Sequence, residues 1–242
     1  MLDERGFYDN FKELIEKTYE RNDETPVAIV AHSMGAPVTH YFLTNYEHID
    51  QEWKDKYLKY YIPIAPAFDG GVAALETLIS GYHKVPKIPY LHNVWNDFVV
   101  DVARSLESVN MLVPRFSGKT MIKTPHKQYG ANNLNELFDD LGYGYGKFYN
   151  ERIKEIDSRM HYPPPNVNTI LYHGIGVPTP EEFIYDRDFG KGINTVALNP
   201  KIKYGDGDGT VNRHSAEIVN KNWSGLKTME FMSISLEGAD HM

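Results

Sequence analysis

Cysteine is absent from all 242 residues. Its absence excludes disulfides, thiolate nucleophiles and thiolate metal sites, so any covalent chemistry must come from other side chains. Long hydrophobic runs are missing too: no stretch approaches the ~18 apolar residues of a membrane-spanning helix. Positive charge is in deficit, with 25 Lys and Arg against 33 Asp and Glu and a net charge of −8. A surface of that sign repels a phosphate backbone and offers an anionic membrane no basic patch, which argues against nucleic acid as a partner. Internal repeats and low-complexity tracts are also lacking. What is present is globular in kind, 41% hydrophobic and 24% charged, with enough chain for one sizeable domain or two small ones. Aromatic residues are the one surplus, at 13% with 17 Tyr. They suit an aromatic core or a greasy groove for an apolar substrate, and composition does not choose between the two.

Hydrophobic spacing predicts the elements. Over residues 6–21, Phe7, Phe11, Leu14 and Ile15 recur at helical spacing. Val27–Val30 reads as a strand buried on both faces, the mark of a parallel sheet. Helical spacing resumes after Gly35 with Val38, Tyr41, Phe42 and Tyr46, and Tyr60–Ala65 is a second strand with Pro63 expected near its end. A helix-length crossover between two strands makes a β-α-β unit. From residue 82 to about 166 strand signals are absent, and three helical stripes follow: Phe98, Val102, Leu106 and Val109; then Leu134, Leu137, Phe138 and Leu141, stopped by Gly142; then Tyr149, Ile153, Ile156 and Met160. This excursion reads as a helical cap over the sheet edge. Thr169–Tyr172 returns as a third strand, Phe183–Tyr185 and Ile202–Tyr204 as a small hairpin, and Met229–Ser235 as a fourth strand. The expected architecture is α/β, with a first core segment at 1–81, a cap insertion at 82–166 and a second core segment at 167–242.

Ala31-His32-Ser33-Met34-Gly35 lies between the first strand and the following helix. A small-x-Ser-x-small pentapeptide in that setting is the nucleophile elbow of α/β-hydrolases, where the tight turn admits only small residues two positions either side of the serine. Such a serine needs a base to take its proton and an acid to orient the base, in the chain order Ser, acid, His. Downstream lie Gly205-Asp206-Gly207-Asp208-Gly209-Thr210-Val211 and then Asp240-His241. Both follow a predicted strand, where loops gather at the carboxyl edge of a parallel sheet. Asp208 is the candidate acid because its Asp-Gly-x-Val setting aims a carboxylate out of a tight turn, while Asp206 suits local turn bonding. Asp206, Asp208 and Glu217 also imitate positions 1, 3 and 12 of a calcium loop, but position 6 would be Val211 rather than glycine, so no metal site is expected. His241 is the candidate base. His32, beside the nucleophile, should point away from the elbow and pack. The backbone N–H of Met34 is the expected oxyanion donor. The second donor normally lies upstream of the elbow, and the 32 residues before Ser33 hold room for one helix and one strand only. The chain is therefore expected to be the carboxyl-terminal part of a longer protein, with the Val27–Val30 strand left as an apolar edge, and to be a poor catalyst and an aggregating species by itself.

Taken together, the elbow, Trp53-Lys54-Asp55-Lys56-Tyr57, Ala65-Pro66 with Gly70-Gly71, Gly176-Val177-Pro178-Thr179-Pro180 with Tyr185, Gly205–Asn212 and His241 give a pattern that resembles the lecithin–cholesterol acyltransferase and lysosomal (group XV) phospholipase A2 family. The resemblance runs from residue 6 to the end and is thinnest at 82–120. It implies Ser33 as nucleophile, Asp208 as acid and His241 as base in cleavage of a phospholipid acyl ester, with an acyl-serine intermediate passed to water or a lipid alcohol. It implies no metal or organic cofactor, contact with a membrane or lipoprotein surface through the family's amino-terminal part, and a secreted or lysosomal location. Familiar animal members carry a disulfide between the strand near Leu171 and the helix near Val219; both positions are apolar here, so packing is expected in its place. A serine esterase of small soluble esters, or a catalytically inactive fragment, would carry the same residues.

Overall fold

The computed structural model describes residues 6–81, 98, 100–116, 118–142, 162–190, 195 and 198–241. The chain runs α1 (Phe7–Arg21), β1 (Val27–His32), α2 (Gly35–Asn45), α3 (Gln51–Tyr57), β2 (Leu58–Ile64) and α4 (Val72–Ser80). Next come α5 (Glu107–Met111), β3 (Ile122–Lys123), β4 (Gln128–Tyr129), a 3₁₀ turn (Ala131–Asn133) and α6 (Leu134–Asp140). It closes with β5 (Thr169–Ile175), β6 (Thr179–Ile184), β7 (Lys201–Gly205), α7 (Arg213–Glu217), α8 (Asn220–Trp223) and β8 (Phe231–Glu237).

Four of the strands form one parallel sheet in the order β1-β2-β5-β8. Its inner face is set by Ile29 and Ala31 on β1, Tyr61 on β2 and Leu171 on β5, which pack with Tyr8 and Ile15 of α1, Ala36 and Phe42 of α2, and Trp223 of α8. Leu171 and Val219 are both fully buried in this cluster, so apolar contact fills the place that the family resemblance gives to a disulfide. Pro63 is the penultimate residue of β2, where a missing N–H costs the ladder least.

The two-faced burial expected of the first strand is not found. Register places Val30, Ile62, Ile170 and Met232 on one row and His32, Ile64, Tyr172 and Ile234 on the next. This second face is open, with Val30 62% and Met232 57% exposed. The helices gather on the inner face, and β1 and β8 are the sheet's two edges. Among the described residues the apolar content of β1 therefore reflects a face that could be covered, not one that is. The stripe on α1 is also turned from the expected one. Tyr8 and Ile15 point inward, while Phe7 and Leu14 are exposed, because a sequence with apolar residues on adjacent columns leaves the choice of column to the neighbours.

A second sheet, of order β4-β3-β6-β7, stands beside the first. The expected hairpin is there, with Phe183 opposite Ile202. Contrary to the sequence reading, the excursion does contain strands, β3 and β4, each of two residues. Pieces this short cannot show a period of two. Leu134, Leu137, Phe138 and Leu141 are buried as the spacing predicts, in one cluster with Leu75 of α4, Met121, Ile122 and Phe183. Gly142 ends that helix at φ 76, a left-handed turn suited to glycine. The first stripe is reversed: Phe98, Val102 and Leu106 are exposed, while Val100 and Ala103 are buried. The third stripe, Tyr149 to Met160, lies outside the described residues.

His40 on α2 sits inside an aromatic box. Its ring stacks on Trp223 at 5.5 Å, with Tyr162 at 5.4 Å and Phe68 at 6.1 Å, and its Nε2 bonds the Pro163 carbonyl at 2.8 Å. Loss of hydration pushes this imidazole down to about 4, against the partial help of that carbonyl. The folded value lies below the unfolded value of 6.5, so the unfolded chain takes the proton first. Stability is full above pH 6.5 and falls as the pH drops toward 4. Between pH 7 and pH 5 the loss from this residue is expected to be about 2 kcal/mol. Urea unfolding of wild type and His40→Phe at both pH values measures it: the pH-dependent loss should shrink by that amount in the variant.

Candidate active site

The turn after β1 holds Ser33 at φ 54. A non-glycine residue in the left-handed region carries roughly 1–3 kcal/mol of strain and persists only where its surroundings enforce it. Here Ser33 N–H donates to Ile64 on β2 at 2.9 Å, and the Ser33 carbonyl accepts from Ala36 and Ala67. The turn is thus clamped between two strands and the start of α2. Crowding falls on the strand side, where Ala31 is buried. At Gly35 an added Cβ would meet nothing within 4 Å, so alanine would fit there as well as glycine. Met34 is the N-cap of α2. Its N–H belongs to the set of helix-start donors that have no partner inside the helix and that favour developing negative charge.

The strain lifts Ser33 Oγ to 2.9 Å from His241 Nε2, and His241 Nδ1 lies 2.8 Å from Asp208 Oδ2. An ionised carboxylate only accepts, so Nδ1 carries the proton and donates it to Asp208. That tautomer leaves the Nε2 lone pair facing the serine hydroxyl, the arrangement in which imidazole can accept the Ser33 proton. Three residues separated by up to 208 positions therefore meet as one hydrogen-bonded chain. Asp208 is 2% exposed, and its Oδ1 accepts from Thr210 N–H at 3.0 Å and Val211 N–H at 2.7 Å.

The acid loop leaves β7, a strand of the second sheet, and not the main sheet as its position in the sequence suggested. It docks beside the end of β5, where Val177 N–H donates to Gly207 and Gly176 N–H to Asp206 Oδ1. Gly209 N–H donates to Thr179 Oγ1, and Asn212 Nδ2 to the Pro180 carbonyl. The Gly176–Pro180 segment is thus the cradle of the Gly205–Asn212 loop, which is why the two motifs accompany each other. Sequence reasoning quoted Thr179 without seeing this role. Asp206 points outward; the Gly176 N–H, with Arg213 beside it, holds its carboxyl below the usual range.

His32 does not simply pack. Its Nε2 lies 2.8 Å from the backbone oxygen of His241, and the two rings are 4.9 Å apart. Gly174 lies on β5. A Cβ there would stand 2.1 Å from the Ala239 carbonyl oxygen and 2.8 Å from Asp208 Cβ, so the base loop and the acid loop cross over a bare backbone. No sequence signal marks it beyond its being a glycine near a strand end.

The family model of Lecithin:cholesterol acyltransferase matches residues 2–158 and 148–242. The Bos taurus protein named lysosomal phospholipase A and acyltransferase is 32% identical over 239 residues, covering 96% of this chain and 53% of its own length. The Homo sapiens protein of the same name is 31% identical, covering 96% and 52%. Lecithin-cholesterol acyltransferase-like 1 of Arabidopsis thaliana is 30% identical, covering 97% and 50%. The chain spans about half the length of these relatives. Among solved structures, a chain of the Tle4-Tli4 complex superposes on 99% of this chain and 61% of its own, with a TM-score of 0.55 at 15% identity. That likeness speaks to fold alone, a partial α/β-hydrolase architecture. A match of family kind over nearly the whole sequence, carried by relatives from animals and a plant, places this chain in the lecithin:cholesterol acyltransferase family.

Proposed function

We propose that the protein is a serine-dependent acyl-ester hydrolase and O-acyltransferase acting on phospholipids. The observation that carries this reading is the unbroken chain Ser33 Oγ, His241 Nε2, His241 Nδ1, Asp208 Oδ2. The names and family of its relatives support the substrate class. In the first half-reaction His241 takes the Ser33 proton as Oγ attacks the ester carbonyl carbon. The developing oxyanion is met by the Met34 N–H at the start of α2. Asp208 stabilises the imidazolium, which then gives its proton to the departing lysophospholipid oxygen. An acyl-serine remains. In the second half-reaction His241 deprotonates water, or a lipid alcohol, as it attacks the acyl carbon, then returns that proton to the departing Ser33 Oγ, which restores the free serine and the neutral imidazole. The residues of the 82–166 excursion, with the small sheet they share, are the proposed cap, and a membrane or lipoprotein surface the proposed source of substrate. A lysosomal or secreted location belongs to the same proposal, and the names of the lysosomal relatives support its first alternative.

A fluorophosphonate probe tests the nucleophile. Wild type is expected to take one equivalent on Ser33, and Ser33→Ala none; equal labelling of both would remove the proposal. The lipid class is tested by ester cleavage against acyl length. Rates should rise from acetate toward palmitate, and a flat profile would favour small soluble esters.

A further inference from the structure

We propose that His32 is a positioning residue that ties the base to the nucleophile's own strand. The proposal deepens the function proposed above and rests on it. His241 follows β8, and Ser33 follows β1; these are opposite edges of the sheet. Strands lie about 4.8 Å apart, so the base must cross roughly 14 Å, over β2 and β5, to reach the serine. It does so within the few residues Gly238–His241 that follow β8. The backbone N–H of His241 is bonded to Asp208 and Asp240. Both ties belong to the acid's side of the site, and neither sets the distance to Ser33. The His241 carbonyl is the backbone group bonded toward β1, through the imidazole of His32 at 2.8 Å. A carbonyl only accepts, so His32 Nε2 carries a proton and donates it. Because His32 and Ser33 are consecutive, this bond fixes the base relative to the strand end that carries the nucleophile. The ring contact at 4.9 Å limits sliding of one imidazole over the other. An exposed residue at an edge-strand end has no core role to account for an aromatic donor there.

The test compares His32→Gln, which keeps a donor of similar reach, with His32→Phe, which keeps the ring and loses the donor, and His32→Ala, which loses both. Fluorophosphonate inactivation gives a limiting rate and a half-saturating probe concentration. In the Phe and Ala variants the limiting rate is expected to fall about 100-fold, the scale of an ångström-sized misplacement, with half-saturation unchanged, and Gln should restore most of the loss. Proton NMR supplies a readout that needs no turnover: the far-downfield Nδ1–H resonance shared by His241 and Asp208 should broaden or vanish in Phe and Ala and persist in Gln. A Phe variant with wild-type rate and resonance would overturn the proposal. If wild type fails to label, the proposed function falls, and the resonance alone then decides the role of His32.

Discussion

Asp208→Asn is expected to lower the acylation rate about 10⁴-fold, the scale on which Ser–His–Asp enzymes respond to loss of the acid. The amide has one oxygen, which cannot both accept from His241 Nδ1 and keep the backbone N–H bonds of the loop. Its oxygen would have to keep the bonds from Thr210 and Val211 that now fall on Oδ1. That leaves the NH₂ toward the imidazole, so Nε2 becomes the protonated nitrogen and the serine loses its base. Asp206→Asn should behave differently. That carboxylate bonds Gly176 and Arg213 at the surface and never meets His241, so its loss loosens the loop and is expected to cost less than about 10-fold. Single-turnover acylation of the two variants separates the candidates. Comparable losses in both would mean that the assignment of Asp208 as the acid is wrong.

Gly174→Ala is expected to disable the proposed site without replacing Ser33, Asp208 or His241. The new methyl would fall 2.1 Å from a backbone oxygen of Ala239 and 2.8 Å from Asp208 Cβ. Neither is the flexible end of a side chain, so the base loop and the acid loop must move apart. A shift of about 1 Å at either suffices for a loss on the order of 10²-fold, and the overpacking should also cost about 1–3 kcal/mol of stability. Gly190→Ala is the control, since a Cβ there meets nothing within 4 Å. The two variants are compared by labelling rate and by denaturant midpoint. A Gly174→Ala protein with wild-type labelling would show that the crossing is looser than its contacts indicate.

Much of this site is legible in one dimension because its chemistry depends on local geometry. A small-residue elbow around Ser33, a glycine-punctuated loop at Asp208 and a histidine past the last strand are each written in consecutive residues. Their order along the chain matches the Ser-acid-His pattern before any coordinate is known. The strands of the main sheet are legible for a similar reason: runs such as Val27–Val30 and Thr169–Tyr172 have no other economical fold. The resemblance of Gly176–Pro180 and Gly205–Asn212 to one family is equally a property of the sequence.

Tertiary structure alone decided which face the first apolar stripes, at residues 7–15 and 98–109, would use. Phe7, Leu14, Phe98 and Val102 satisfy helical spacing yet stand exposed, because a helix with apolar residues on neighbouring columns is oriented by its partners. The same holds for Val30, whose strand lies at a sheet edge. The two-residue strands β3 and β4 exist through pairing with β6 and with each other, since so few residues carry no period of their own. Gly174, Thr179 and His32 gained their contacts from distant backbone that arrives within hydrogen-bond or van der Waals range. The chain specified which groups could react. Only the crossing of its loops over the β5 end, with β1 and β8 brought to one rim, determined how they are held, because that depends on contacts between residues as many as 209 positions apart.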